Sequence, residues 1–334
     1  MALRGCRKAA LFIGVGCFGI VLIMVVGFAL VVWWANRHAG PQGPSQPQPA
    51  TLAVPLAGPA ATPPAGAPPA PAGATAGPAG AAGVPLRVAL LLEEGTFTIE
   101  PGAADSDLVA EGTFDPNLFE LTTEESGSAE TGRDVTIRFQ AKRHWLFRLL
   151  SHFGEGDRRD EAHILVRLPE GRPMALDLKI AKGESHTELG GLTLTDLSAD
   201  FAMGHATMSF ARPLPSPLPR LALRSAMGDL TVEGLGWTGV ERMEVAGSMG
   251  QIRLDLGGDW HPGTTAHAEI RHSMGEMTLI IPRSIRLAPS SSTLVILGGA
   301  QSPGARDEAD LPAEAPVLEL DANVSMGNLT VQRR

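Results

Sequence analysis

Charged residues are unevenly distributed in this chain of 334 residues, and acidic residues are missing from its first 85. Residues 1–38 contain four basic residues, and residues 39–85 contain no charged residue. Residues 86–334 therefore hold all 36 acidic and 23 of the 27 basic residues, which gives them a net charge of 23 − 36 = −13. A surface with this charge argues against a nucleic-acid partner.

Cysteine is scarce as well, since the chain has only Cys6 and Cys17. Residues 86–334 have none, so this part can form no disulfide and must be stabilised by a packed core. The chain also lacks an HExxH motif, a Cys/His cluster, an acidic calcium loop and a GxSxG sequence. These absences predict no metal site, no cofactor and no catalytic nucleophile, so we expect a protein that is not an enzyme.

The N-terminal segment is apolar enough to cross a membrane. Residues 11–35 contain no charge, and these 25 residues exceed the roughly 20 that a membrane-spanning helix needs. Three basic residues precede the segment and one follows it, which predicts a cytoplasmic N-terminus. Residues 1–38 are thus predicted to be a cytoplasmic tip and a single transmembrane helix in a bacterial cytoplasmic membrane. A cleaved signal peptide is the alternative.

The next segment, residues 39–85, contains 13 of the 27 prolines together with many Ala and Gly residues. A segment of this composition cannot build a core, because it has few large apolar side chains to bury. It predicts a disordered, polyproline-rich linker that holds an extracytoplasmic folded part away from the membrane.

A short repeat dominates the second half of the chain. Ser-Met-Gly or Ala-Met-Gly occurs five times, and the intervals between its glycines are 24, 22, 25 and 52 residues. The five glycines are Gly204, Gly228, Gly250, Gly275 and Gly327. A spacing of this kind is typical of stacked β coils. Gly95 fits the same frame, and Gly183 fits it in part.

Each copy of the repeat predicts two strands that meet at its glycine. Ile252 and Leu254 lie two and four positions after Gly250, and polar residues alternate with them. Before that glycine, the apolar positions are −7, −5 and −1, as in Met243, Val245 and Met249. The alternation shifts by one residue at the glycine, which predicts a bend. The fold class is therefore predicted to be all-β, with a parallel β-solenoid favoured over a β-sandwich.

Five methionines precede the repeat glycines, and stacked coils would place them about 4.8 Å apart in a column. They are Met203, Met227, Met249, Met274 and Met326. We expect them to fill the core at each bend, because methionine is flexible and polarizable. A thioether site for Cu(I) is the alternative. The residues after the glycines predict a solvated surface or a ligand-binding stripe: His205, Asp229, Gln251, Glu276 and Asn328.

The regular coils are predicted over residues 176–334, after a first coil and an inserted or capping β segment in residues 86–175. The 52-residue interval predicts a degenerate coil at 293–299. No cap follows the last predicted strand, which leaves end-to-end association of two copies open. Asp229 and Asp255 could meet across coils, as a glycan-cleaving enzyme would require.

One stretch, residues 142–153, is both basic and aromatic. Its apolar residues follow helical spacing, which predicts a cap over the open end of the stack or a surface that contacts a membrane or partner. The residues available for such contacts are Arg143, Trp145, Phe147, Arg148 and Phe153.

Several short motifs lie at residues 91–100, 111–114, 176–183, 189–192 and 275–282. Together they resemble those of bacterial toast-rack (LiaF-like) cell-envelope proteins. The resemblance implies a right-handed β-solenoid and a membrane-anchored scaffold or sensor. The scaffold or sensor would bind an envelope protein or a cell-wall polymer and would modulate envelope-stress signalling. This chain departs from the family by carrying Met where a small residue is usual. A solenoid carbohydrate-active enzyme, an adhesin and a metal-handling protein remain the alternatives.

Overall fold

The computed structural model describes residues 47–56, 86–104, 106–128, 132–142, 162–289, 295–296, 300–301 and 311–334. The chain divides into two compact units, Met1–Gln46 and Pro47–Arg334, and every described residue belongs to the second. The segments predicted as a transmembrane helix (11–35) and as contact residues (143–153) lie outside the described residues. Within the described ranges, no helix is both long and apolar enough to span a membrane.

The described part of the chain is all-β, as predicted, and forms one large, mostly parallel sheet that does not close on itself. A single 3-10 helix, Leu235–Thr238, interrupts the strands of this part. The strands are β1 (Gln48–Val54), β2 (Leu86–Ala104), β3 (Leu108–Phe114), β4 (Phe119–Ser128), β5 (Gly132–Ala141), β6 (His163–Glu170), β7 (Met174–Glu188), β8 (Leu194–Ser209), β9 (Arg220–Glu233), β10 (Arg242–Asp255), β11 (Thr265–Ile281), β12 (Arg286–Pro289), β13 (Val295–Ile296), β14 (Ala300–Gln301) and β15 (Val317–Arg333).

Seven long parallel strands form the body of the sheet, in the order β2, β7, β8, β9, β10, β11 and β15. We call each of them a rung. Pairing between neighbouring rungs aligns one glycine from every rung: Gly95, Gly183, Gly204, Gly228, Gly250, Gly275 and Gly327. We call this row the glycine column. It includes Gly183, although the residues two and four positions later, Ser185 and Thr187, are buried polar side chains.

Each position in the glycine column excludes a side chain. A Cβ atom on Gly250 would lie 2.0 Å from the carbonyl oxygen of Gly228 in the next rung, and the other glycines after Gly95 give 1.9–2.0 Å. Six of the seven also have φ between 118° and 153°, which L-amino acids rarely adopt. Close approach of neighbouring rungs and backbone conformation therefore both require glycine.

Burial alternates along each rung and shifts by one residue at the glycine. In β10, Met243, Val245 and Gly247 are buried before the glycine, and Ile252 and Leu254 are buried after it. The buried positions before the glycine are thus −7, −5 and −3, and the prediction that −1 faces the core is wrong. The reason is that position −3 carries Ser225, Gly247 and His272 in three adjacent rungs. These small or polar residues hid the buried face from an apolar pattern.

Additional strands extend the sheet beyond β2. The first half of β2 pairs with β5, and the second half pairs with β6, so these two strands together form one further layer. Strand β4 pairs with β5, while β3 and β1 continue outward from β6. Phe139 of β5 packs against Phe97, Phe114 and Phe119 at ring-centroid distances of 5.1–6.1 Å. This aromatic cluster fills the core at the end of the stack.

Strand β1 lies within the segment predicted to be a disordered linker, so that prediction is wrong for Gln48–Val54. The strand pairs antiparallel with β3 over its whole length. Val54 and Leu56 are buried, and Leu52 packs against the core. Because the segment as a whole is rich in Pro, Ala and Gly, its composition does not reveal this short apolar run. The run forms its hydrogen bonds with a strand more than 50 residues away in the sequence.

The opposite end of the sheet differs from the prediction of a degenerate coil between the last two repeats. Strand β11 pairs directly with β15, so Gly275 and Gly327 are neighbours. The short strands β12, β13 and β14 lie on the far side of β15 and pair with it in three separate places. The last rung is therefore partly covered, and the expectation of an uncapped final strand is also wrong.

Candidate interaction edge along the methionine column

The repeat methionines lie on the surface of five consecutive rungs. They are direct register partners from β8 to β15. Their exposed fractions are Met203 47%, Met227 47%, Met249 45%, Met274 41% and Met326 60%. We call this row the methionine column. The prediction that these side chains fill the core is wrong, because the shift at each glycine turns the whole segment from −2 to +1 outward.

Other methionines in the same rungs behave differently. Met174, Met208, Met243 and Met277 are at most 2% exposed and belong to the core. The chain therefore uses methionine both as a packing residue and as a surface residue at fixed register. Within the described residues, Leu118 is the one other large apolar side chain that is exposed.

In the first two rungs, the residue before the column glycine is charged. Glu94 of β2 and Lys182 of β7 form an ion pair, with 3.0 Å between Lys182 Nζ and Glu94 Oε1. Exposed ion pairs of this kind stabilise proteins by less than about 1 kcal/mol. The backbone at this position therefore accepts charged residues, and the fold does not require methionine there.

The methionine column is flanked by small residues on one side and polar residues on the other. Position −2 carries Ala202, Ala226, Ser248, Ser273 and Ser325, all of them exposed. Position +1 carries the predicted polar stripe, which the register aligns and leaves partly or fully exposed. At its first end, His205 Nδ1 lies 3.1 Å from Asp229 Oδ2. Both side chains are well exposed.

An apolar groove of about 420 Å³ lies beside the column on the earlier rungs. It is lined by residues at positions −4 to −2 of β2, β7, β8 and β9, including Ala181, Ala202 and Ala226. Arg224 and Asp200, 3.5 Å apart, also line it. The exposed apolar surface therefore continues past Met203 toward the rungs that lack methionine.

The described residues on either side of the predicted contact segment lie close to the glycine column. The Ala141 amide donates to Glu93 at 2.9 Å, and the Thr96 amide, next to Gly95, donates to the Ala162 carbonyl at 2.8 Å. Arg143, Trp145, Phe147, Arg148 and Phe153 lie between these points and outside the described residues.

One buried histidine lies on the core side of the rungs that carry the methionine column. His272 occupies position −3 of β11 and is 2% exposed. It takes the space that Gly247 leaves in the neighbouring rung, since a Cβ on Gly247 would lie 2.3 Å from His272 Nδ1. Burial lowers the pKa of His272, and the nearby backbone of Gly250 and Gly247 opposes that shift.

The carboxylates considered for glycoside hydrolysis are not brought together. Asp229 pairs with Gln251, and Asp255 lies four residues farther along that rung, or about 13 Å at the usual rise per residue. Asp255 instead accepts a hydrogen bond from the Gly257 amide at 2.7 Å. In the ranges that the structure describes, no group of three or more His, Cys, Asp or Glu side chains could hold a metal ion.

Comparison with known proteins identifies no family. No family profile matches the chain, and no curated protein matches it. Similar solved structures are β-rich proteins. A candidate cell adhesion protein from Clostridium sporogenes is 11% identical, with a TM-score of 0.36, and the alignment covers 86% of this chain and 100% of the other. A candidate lipid-binding protein from Parabacteroides distasonis is 13% identical, with a TM-score of 0.31 and coverage of 87% and 98%. A candidate adhesin from Parabacteroides merdae is 8% identical, with a TM-score of 0.30 and coverage of 87% and 98%. At these scores, the similarity assigns no function.

Proposed function

We propose that this chain is a membrane-anchored scaffold or sensor of the bacterial cell envelope, which docks on another envelope protein through the methionine column. The observation that carries the proposal is the alignment of five exposed methionines at positions where the fold accepts charged residues. Methionine is enriched in the cores of protein interfaces and adapts to different partner surfaces. The column extends for about 19 Å, or four strand spacings.

The same proposal includes the finer features of the fold and its location. The in-register rungs and the phase shift at each glycine support a right-handed β-solenoid of the toast-rack kind. The apolar segment 11–35 supports a single membrane anchor with a cytoplasmic N-terminus. Modulation of envelope-stress signalling belongs to this proposal too.

Site-specific photo-crosslinking in the native membrane tests the docking surface. A photoreactive residue at position 249 should form an adduct with a protein. The same residue at Arg253, which is exposed on the same rung, should not. Replacing Met227 and Met274 with Glu should abolish the adduct formed at 249.

Two results would count against this proposal. Equal adducts from positions 249 and 253 would show that the column is not the contact surface. An adduct that resists protease but is released by a wall-degrading enzyme would identify a cell-wall polymer and favour the adhesin alternative.

A further inference from the structure

The methionine column places the thioethers of adjacent rungs side by side. Neighbouring strands lie about 4.8 Å apart, so two of these side chains start close enough to reach one ion. Each methionine has three rotatable bonds, so its sulfur can adjust to an ion held between two rungs. Every adjacent pair in the column therefore offers two thioethers across one strand spacing.

The ligand chemistry favours Cu(I) over hard cations. Thioethers are soft and uncharged, and they select Cu(I) over Ca²⁺ or Mg²⁺, which prefer oxygen. The residues at position −2 are Ala or Ser, so no carboxylate stands on that side of the column. The sulfur-bearing side chains are accessible from solvent, with exposed fractions of at least 41%.

An imidazole stands at one end of the column. His205 lies two residues after Met203, and its Nδ1 is 3.1 Å from Asp229 Oδ2. A carboxylate in this position commonly orients a metal-binding histidine and fixes its tautomer. His205 Nε2 is then the nitrogen that can accept a metal. Two thioethers and one imidazole thus occur together in rungs β8 and β9.

We propose that the methionine column binds Cu(I), with its tightest site at Met203, Met227 and His205. The two earlier rungs show that the stack forms with Glu94 and Lys182 at the equivalent positions, so packing does not explain the thioethers. This inference is independent of the docking partner proposed above. A column that failed to bind Cu(I) could still contact a protein, and crosslinking alone reports that contact.

The test is an anaerobic titration of the full chain with Cu(I) against a competing chromophoric chelator. Cys6 and Cys17 are first replaced by Ser, because thiolates also bind Cu(I). We expect this background protein to take Cu(I) from the chelator. Met203→Leu/Met227→Leu should weaken binding at least tenfold, and His205→Asn should weaken it less. Met277→Leu, a buried methionine in the same sheet, is the matched control and should leave the affinity unchanged.

Methyl-labelled methionine and Ag(I), a redox-stable substitute, give a second readout that does not depend on the variants. The Met203 and Met227 methyl signals should shift first, and those of the four buried methionines should not. No competition for Cu(I), equal binding by the Met203→Leu/Met227→Leu and Met277→Leu proteins, or shifts confined to buried methionines would each overturn the proposal.

Discussion

The first two rungs and the five that follow share one backbone geometry but differ in the residue before the column glycine. In β2 and β7 this position holds an exposed ion pair, and in β8 to β15 it holds exposed methionine. The glycine itself does not vary across all seven rungs. The comparison separates two requirements. Packing between neighbouring rungs requires the glycine, whereas the methionine is not required for packing and is better explained by a binding role.

The core behind the methionine column is also uneven. The buried position −3 carries an apolar side chain in the first three rungs and in the last, but a small or polar residue in β9 to β11: Ser225, Gly247 and His272. In the later rungs, the imidazole fills the volume that the glycine leaves empty. A large side chain in one rung thus compensates for a missing side chain in its neighbour. As a result, one titratable group is part of the core.

The largest effect should come from breaking what the two regions share. We expect Gly250→Ala to lower the free energy of unfolding by about 2–5 kcal/mol. The reasons are that Gly250 has a positive φ, which alanine rarely adopts, and that the new Cβ would clash with the Gly228 carbonyl oxygen. Gly263 also has a positive φ, of 76°, but nothing lies within 4 Å of its Cβ position. Gly263→Ala should therefore cost about 1–2 kcal/mol. Urea unfolding followed by tryptophan fluorescence measures both, and equal losses would contradict the contact argument.

The next effect separates the two uses of methionine within one rung. Met277→Ala should destabilise the protein by about 2–5 kcal/mol, because it empties a fully buried site. Met274→Ala, three residues earlier and 41% exposed, should change stability by less than about 1 kcal/mol. Urea midpoints of the two variants give the comparison. A comparable loss of stability in Met274→Ala would show that the methionine column stabilises the fold.

A smaller effect should follow from the buried histidine of the later rungs. Its lowered pKa means that the folded protein keeps His272 neutral while the unfolded chain, with a histidine pKa near 6.5, takes up a proton. Stability should therefore be complete above pH 7 and fall as pH drops below about 6.5, by at most about 1.4 kcal/mol per pH unit. His272→Leu should remove this component. Unfolding curves of both proteins between pH 5 and 8 would show it, and parallel curves would refute it.

The smallest effect should come from making the two regions alike. Lys182→Met replaces the exposed ion pair and extends the methionine column by one rung. We expect a change in unfolding free energy of less than about 1 kcal/mol, because exposed pairs contribute little. Thermal melts of the variant and the parent are sufficient. A shift of many degrees in either direction would show that the edge is part of the stability of the stack.

The sequence predicts the glycine column and the buried positions +2 and +4 because apolar residues follow every column glycine in the same phase except Gly183. It does not predict the buried row at −3, where Ser225, Gly247 and His272 share no side-chain character. The pairing between rungs determines which residues form that row. An apolar pattern within one segment carries no information about this pairing. The apolar pattern assigns the exposed methionines to the core for the same reason, because they are the apolar residues nearest to the buried row at −3.

Strand order at the ends could not be predicted either. β1 is separated in sequence from its partner β3, and β12 to β14 precede β15 in sequence but lie outside it in the sheet. Such pairings depend on tertiary contacts over tens of residues. Local propensity carries no information about which earlier strand a later one joins.

The placement of β15 has a consequence for the order of assembly during translation. Within the described residues, β12, β13 and β14 find their hydrogen-bond partners on β15 alone, although the ribosome makes β15 after them. These three strands therefore have no partner strand in the described sheet until β15 has been made. From β7 to β11 each rung pairs with the rung made before it, and the last layer reverses that order.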